Sequence, residues 1–172
     1  MSSSIRIIAR TTLSAVTPEQ LYEGVSGRLE SVTALYPRDD DSPRQVLSRL
    51  KIERADSQPF GEWHLHYAGG GRPITVERLI GKAWEPERRA LFDEVGQGDD
   101  PVSVRLRALL SEAKESVVLE LTAGDVRGMG WPVAMAAAAA LARASDGVIR
   151  ADDEGWLEPK GKELTPLLSL RG

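Results

Sequence analysis

One run of the chain, residues 131–144 (WPVAMAAAAALARA), constrains the fold more than any other. Its five consecutive alanines, Ala136–Ala140, have the best helix propensity and lose no side-chain entropy on becoming helical. A helix that is apolar around its whole circumference has to be buried, and one this thin lets a sheet or a second helix come close. The run therefore predicts a central helix over 132–144. Trp131-Pro132 sets its entry, and Ser145-Asp146-Gly147 supplies residues that tolerate a left-handed turn at its exit. Interrupted by Arg143, it falls short of the roughly 18 apolar residues that cross a bilayer. Val148-Ile149 then enters a sheet, and the acids Asp152, Asp153 and Glu154 fall at the next turn.

The rest of the chain supplies the sheet and its other helices. Residues 5–12 (IRIIARTT) are β-rich and open a sheet. Thr17-Pro18-Glu19-Gln20 is a helix start, with a capping hydroxyl, a proline at the first helical position and a glutamine where a capping box needs it. Leu21, Val25, Leu29, Val32 and Leu35 or Tyr36 keep helical spacing up to Pro37. Gly24 and Gly27 either weaken this helix or let it lie close to the sheet. Residues 46–55, 62–68 and 73–80 read as successive strands. In the middle one Trp63, Leu65 and Tyr67 share one face and His64 and His66 the other. AGGGRP at 68–73 is the turn of a hairpin. Helices are expected from Glu85 and over 101–115, and a strand over 117–121. A turn follows over 122–130, then a strand at 148–151 with 154–157 at or just after its end, and a tail over 160–170 that packs back on the body. This order predicts one α+β domain over 1–172, with two layers and a mostly antiparallel sheet carrying helices packed on one face.

Charge and residue usage narrow the function. With 26 acidic and 22 basic residues the chain carries a net charge of −4. That favours a basic protein partner over nucleic acid, which is bound by a basic face. The absence of cysteine excludes a disulfide framework, a Cys-ligated zinc site and a Cys nucleophile, and fits a reducing compartment. MSSSIRIIARTT lacks the apolar run of a secretory signal, so the expectation is a cytoplasmic protein without a membrane partner.

Several constellations bear on chemistry. Three acidic clusters stand out: Asp39, Asp40 and Asp41; Asp99 and Asp100; and Asp152, Asp153 and Glu154, with Trp156 close behind. Each reads either as a solvated turn or as an acidic display for a partner. The third follows a buried helix and strand, which would hold it firmly. His64 and His66, the only histidines, share one strand face; with Asp152 or Asp153 nearby they would offer a metal two nitrogens and an oxygen, as a hydrolase needs. The other reading is two polar side chains on the outer face of a half-buried strand. Gly69–Gly71 is followed by no Gly-Lys-Ser/Thr, and GDVRGMG lacks the dinucleotide spacing, so neither marks a nucleotide site. Nothing pairs a serine, a histidine and an acid. No cofactor is expected.

Residues 117–156, with a strand, a glycine-containing turn, a small-residue helix and the close GVIRADDEGW, resemble the ends of small immunity proteins of bacterial polymorphic toxin systems. The resemblance implies a non-enzymatic cytoplasmic domain that binds a cognate toxin and covers its functional surface. The acidic clusters would then meet a basic toxin surface, adding to association rate and specificity.

Overall fold

A computed structural model describes residues 2–55 and 60–168. In chain order its elements are β1 (Ser3–Ala9), α1 (Pro18–Ser26), α2 (Leu29–Leu35), α3 (Pro43–Arg49), β2 (Lys51–Arg54), β3 (Glu62–His66), β4 (Ile74–Ile80), α4 (Trp84–Val95), α5 (Pro101–Glu112), β5 (Glu115–Leu121), α6 (Ala123–Arg127), α7 (Gly130–Ala144), β6 (Val148–Ala151), β7 (Gly155–Lys160) and β8 (Glu163–Leu168). All eight strands pair antiparallel in one sheet of order β2-β3-β4-β5-β1-β6-β7-β8. This is the α+β fold that the sequence pattern predicts.

Strand alternation sorts the core. Ile5, Ile7 and Ala9 of β1, Trp63 and Leu65 of β3, Ile74 and Val76 of β4, and Val117, Leu119 and Leu121 of β5 point to one face. There they meet α1, α2, α3 and α7 in the larger apolar cluster. The alanine helix α7 lies at its centre, against α1, α2, α6 and strands β1, β5, β6 and β7. Ala136–Ala139 are all buried. Neighbours touch it on almost every side, as its lack of bulk requires. The opposite face carries Ile8, Val148 and Trp156, and α4 and α5 cover it with a second cluster built on Trp84, Leu91, Leu106 and Leu110. The main helical layer is therefore joined by a helical pair on part of the other face. The signal for that pair is Ile8, an apolar residue out of register with Ile5 and Ile7.

Four local expectations are corrected. The helix expected from Pro18 to Tyr36 is two helices, broken where Gly27 caps the first and its N–H donates back to Glu23. Residues 43–49, expected to hold the start of a strand, form α3, and only Lys51–Arg54 pairs as β2. The deciding device is a second capping box: Ser42 accepts from the Gln45 N–H while the Gln45 side chain accepts from the Ser42 N–H, with Pro43 between them. The 122–130 turn holds the short helix α6. The tail forms the edge strand β8, whose Pro166 sits where a missing N–H is tolerated; residues 169 and 170 lie outside the described residues.

A buried ion pair ties the loop after β1 to the sheet. Glu115, 2 % exposed, accepts from Arg78 at 2.6 Å and from the Leu13 N–H, while Arg78 also donates to the Phe60 carbonyl at 3.0 Å.

Candidate functional site

One end of the sheet gathers most of the charge-bearing loops. The register Ser3↔Leu121 and Ile5↔Ala151 puts the exit of β5, the entry of β1 and the β6–β7 turn side by side. Thr75↔Glu120 and Leu65↔Ile74 bring the β3–β4 hairpin to the same end.

At this rim Thr122 caps α6, and Asp125 closes the box by accepting from the Thr122 N–H and hydroxyl, each at 2.8 Å. The Tyr67 hydroxyl donates to the other Asp125 oxygen at 2.5 Å. Burial, then the hydrogen bond to Asp125, pushes the Tyr67 phenol well above its ordinary range. Gly130 makes the junction possible, because a Cβ there would stand 2.6 Å from the Asp125 Cβ and 2.8 Å from the Tyr67 hydroxyl. Beside it lies a cleft of about 200 Å³ lined by His66, Tyr67, the glycine hairpin, Arg72 and Thr122. Both Asp125 oxygens are filled by these donors, so its role here is to clamp the hairpin to α6.

The acidic loops are anchored at the same rim. Arg38 donates to the Gly128 carbonyl at 3.2 Å and the Val126 carbonyl at 3.0 Å, seating the 38–41 loop on the C-terminal end of α6. Asp40 lies against Gly128, where a Cβ would come within 2.9 Å of its carboxylate. Asp41 pairs with Arg49, and Asp39 is exposed. In the β6–β7 turn Asp152 accepts from the Ser4 N–H at 2.7 Å, the Ser4 hydroxyl at 3.0 Å and Arg150. Burial opposes ionisation of Asp152, but the Ser4 and Arg150 hydrogen bonds outweigh it and hold the carboxyl below the ordinary aspartate range. Asp153 takes the left-handed turn position at φ 66° and is exposed. Tyr36, edge-on to Trp131, is pushed up to about 12 by burial and then by the charge of Glu154.

The Asp99-Asp100 cluster stands apart, in the α4–α5 connection. Asp100 caps α5 by accepting from the Ser103 N–H at 2.9 Å, and hydrogen bonds from the Ser103 side chain and backbone hold its carboxyl below the usual range. Asp99 is exposed. Trp156 is a core residue, 0 % exposed, whose indole N–H donates to Glu94 at 3.2 Å. It presents no surface to a partner.

His64 and His66 share the strand face expected of them, opposite buried Trp63 and Leu65. Their ring neighbours are carboxylates of the same hairpin: Glu62 lies 3.0 Å from His64 and Glu53 lies 3.4 Å from His66. The acid proposed to complete a metal site is elsewhere. Asp152 and Asp153 follow β6, four strands along from β3, which at ordinary strand spacing is about 19 Å. Among the described residues no three His, Cys, Asp or Glu side chains are grouped to hold a metal ion.

Sequence reasoning missed a polar network on the second sheet face. Arg6 pairs with Glu87 at 2.6 Å, and Arg150 with Glu94 at 3.0 Å and with Asp152, stapling α4 to β1 and β6. Beside it runs a groove of about 320 Å³ lined by Ser4, Arg6, Glu77, Glu87, Glu120 and Asp152. The alternation of Arg6 with Ile5 and Ile7 is the sequence signal of this network.

Comparison of the chain with protein-family models, curated proteins and solved structures finds no match in any of the three. Among the described residues no helix is long and apolar enough to cross a membrane.

Proposed function

We propose that this chain is a protein-binding module of the immunity type, which docks on a cognate bacterial toxin in the cytoplasm and covers its functional surface. The observation that carries the reading is the shared position of two acidic loops. The 38–41 loop and the 152–154 turn both stand at the end of the sheet where α6 meets the hairpin, and each is held by hydrogen bonds to the body. An acidic display on anchored loops loses little conformational entropy on docking and steers a basic partner during encounter. The Asp99-Asp100 loop lies outside this rim and is secondary in the reading.

The test is a tagged pull-down from the native host, read by mass spectrometry and elemental analysis of the same sample. One stoichiometric protein partner is expected, with binding weakened when Asp152, Asp153 and Glu154 are changed to their amides and when Asp39–Asp41 are. Unchanged affinity after both sets would remove the electrostatic basis. A metal-loaded protein without any stoichiometric partner would end the reading.

A further inference from the structure

Among the described residues, half of one sheet face has no helix over it. The second cluster covers the β1, β6 and β7 part of that face, whereas the strip made by β2, β3, the first half of β4 and the end of β5 keeps its side chains partly or fully exposed. Alternation places Glu53, Glu62, His64, His66, Glu77 and Glu120 on this strip. The buried residues between them, Trp63, Leu65, Ile74, Val76 and Leu119, face the opposite side and fix the backbone that presents them.

Two observations distinguish the strip from an ordinary wet sheet face. The first is its charge. Among the described residues Glu53, Glu62, Glu77 and Glu120 stand there with Lys51 as the one Lys or Arg; Lys51 pairs with Glu53 at 2.5 Å and Glu62 lies 3.0 Å from His64. On the covered part of the face the carboxylates are matched, Glu87 by Arg6, Glu94 by Arg150 and Glu158 by Arg105. Among the described residues Glu77 and Glu120 pair with no cation. The second is the register. Glu62 and Glu77 are directly opposed across β3 and β4, and Glu120 is diagonal to Glu77 across β4 and β5. Directly opposed like charges on neighbouring strands destabilise a sheet. An external cation would relieve this, and the groove lined by Glu77, Glu120 and Asp152, with Arg6 engaged by Glu87 on its other side, gives long basic side chains a place to enter.

We infer that this open strip is a docking surface for a basic polypeptide surface, whose Lys and Arg side chains insert between Glu62, Glu77 and Glu120. The inference rests on the reading of the chain as a protein binder and moves the main contact from the acidic loops to the sheet face.

The experiment is a titration of the ¹⁵N-labelled full chain with a synthetic Lys- and Arg-rich peptide. A peptide of the same length with Glu in place of each basic residue serves as control. The expected result is saturable shifts confined to the amides of β3, the first half of β4 and the end of β5, and none with the control. E77K/E120K should weaken binding at least about tenfold while leaving thermal stability equal or higher, because it removes the opposed like charges. A structural role alone would not give that opposite pair of effects. Shifts confined to residues 38–41 and 152–154 would overturn the sheet-face inference and leave the binder reading standing. Absent or diffuse shifts would also overturn it, with the binder reading then decided by the pull-down.

Discussion

Gly24 of α1 is where the alanine helix meets its neighbour most closely. A Cβ built there would stand 2.6 Å from the Cβ of Ala140, inside any real carbon–carbon contact. Gly24→Ala therefore sets two effects against each other. Helix propensity favours alanine by roughly 0.8–1.0 kcal/mol. Overpacking a fixed helix–helix contact costs about 1–3 kcal/mol, since neither methyl is the end of a flexible chain that could swing away. The steric effect wins, and the net expectation is a loss of about 1 kcal/mol. That corresponds to roughly 2–4 °C in Tm for a chain of this size. Gly27 is the internal control. It has helical φ −73° and only an ordinary 3.5 Å contact waiting for a Cβ, so Gly27→Ala should gain about 0.4–1 kcal/mol. Urea unfolding of both variants, with Ala140→Gly and the double Gly24→Ala/Ala140→Gly, completes the cycle. The double variant exchanges the methyl between the helices and should recover at least about 1 kcal/mol relative to additivity. Gly24→Ala as stabilising as Gly27→Ala, or a strictly additive cycle, would refute the close approach.

Other expectations follow from single contacts. Glu115→Ala leaves Arg78 without its buried counter-charge and should cost roughly 3–5 kcal/mol in urea unfolding; a loss below about 1 kcal/mol would mean that water already compensates the pair. Asp152 has a lowered folded-state pKa, so its contribution is fully present above the ordinary aspartate value of about 3.9 and is lost as pH falls through the lower folded value. Asp152→Asn should flatten the stability–pH curve in that acidic window, and an unchanged slope there would reject the assignment. Arg38→Ala removes both carbonyl contacts to α6 and should speed amide exchange across residues 39–41 while exchange in β1 and β5 stays slow.

The large elements were legible because their signals are local. The alanine run gives a helix that can only be buried, Thr17-Pro18-Glu19-Gln20 starts α1, and AGGGRP turns the β3–β4 hairpin. The α3 start was equally readable, since Ser42-Pro43-Arg44-Gln45 repeats the spacing of the first capping box. The apolar residues Val46, Leu47, Leu50 and Ile52 hid it, because a short apolar run does not distinguish a helix running into a strand from a strand alone. What no local pattern carries is strand order. The separation of His64 and His66 from Asp152 and Asp153 depends on β4, β5 and β1 lying between them. So does the convergence of the 38–41 and 152–154 loops on one rim, which joins residues more than a hundred positions apart. The burial of Trp156 is hidden from the sequence for a related reason. Its neighbours in sequence are charged, but its neighbours in space are α4 and the second cluster.

The smooth helix and the crowded charge are two results of one packing arrangement. Because the Ala136–Ala140 stretch of α7 has so little bulk, α1, α2 and four strands all reach the helix, and Trp131, Val133, Met135 and Leu141 supply its larger side chains to the core. Apart from the buried Arg78–Glu115 pair, the charged side chains collect largely away from that face, in the loops at the sheet end, the ion pairs under α4 and the open strip of the opposite face. The ion pairs under α4 are satisfied internally and serve cohesion. The loops and the strip are satisfied only in part: Asp152, Asp41, Glu53 and Glu62 have partners, whereas Glu77 and Glu120 have none among the described residues, and Glu77 directly opposes Glu62, an arrangement that disfavours the sheet. Carboxylates left without a counter-charge, as Glu77 and Glu120 are, gain most when a partner supplies it, which is why E77K/E120K should separate stability from binding.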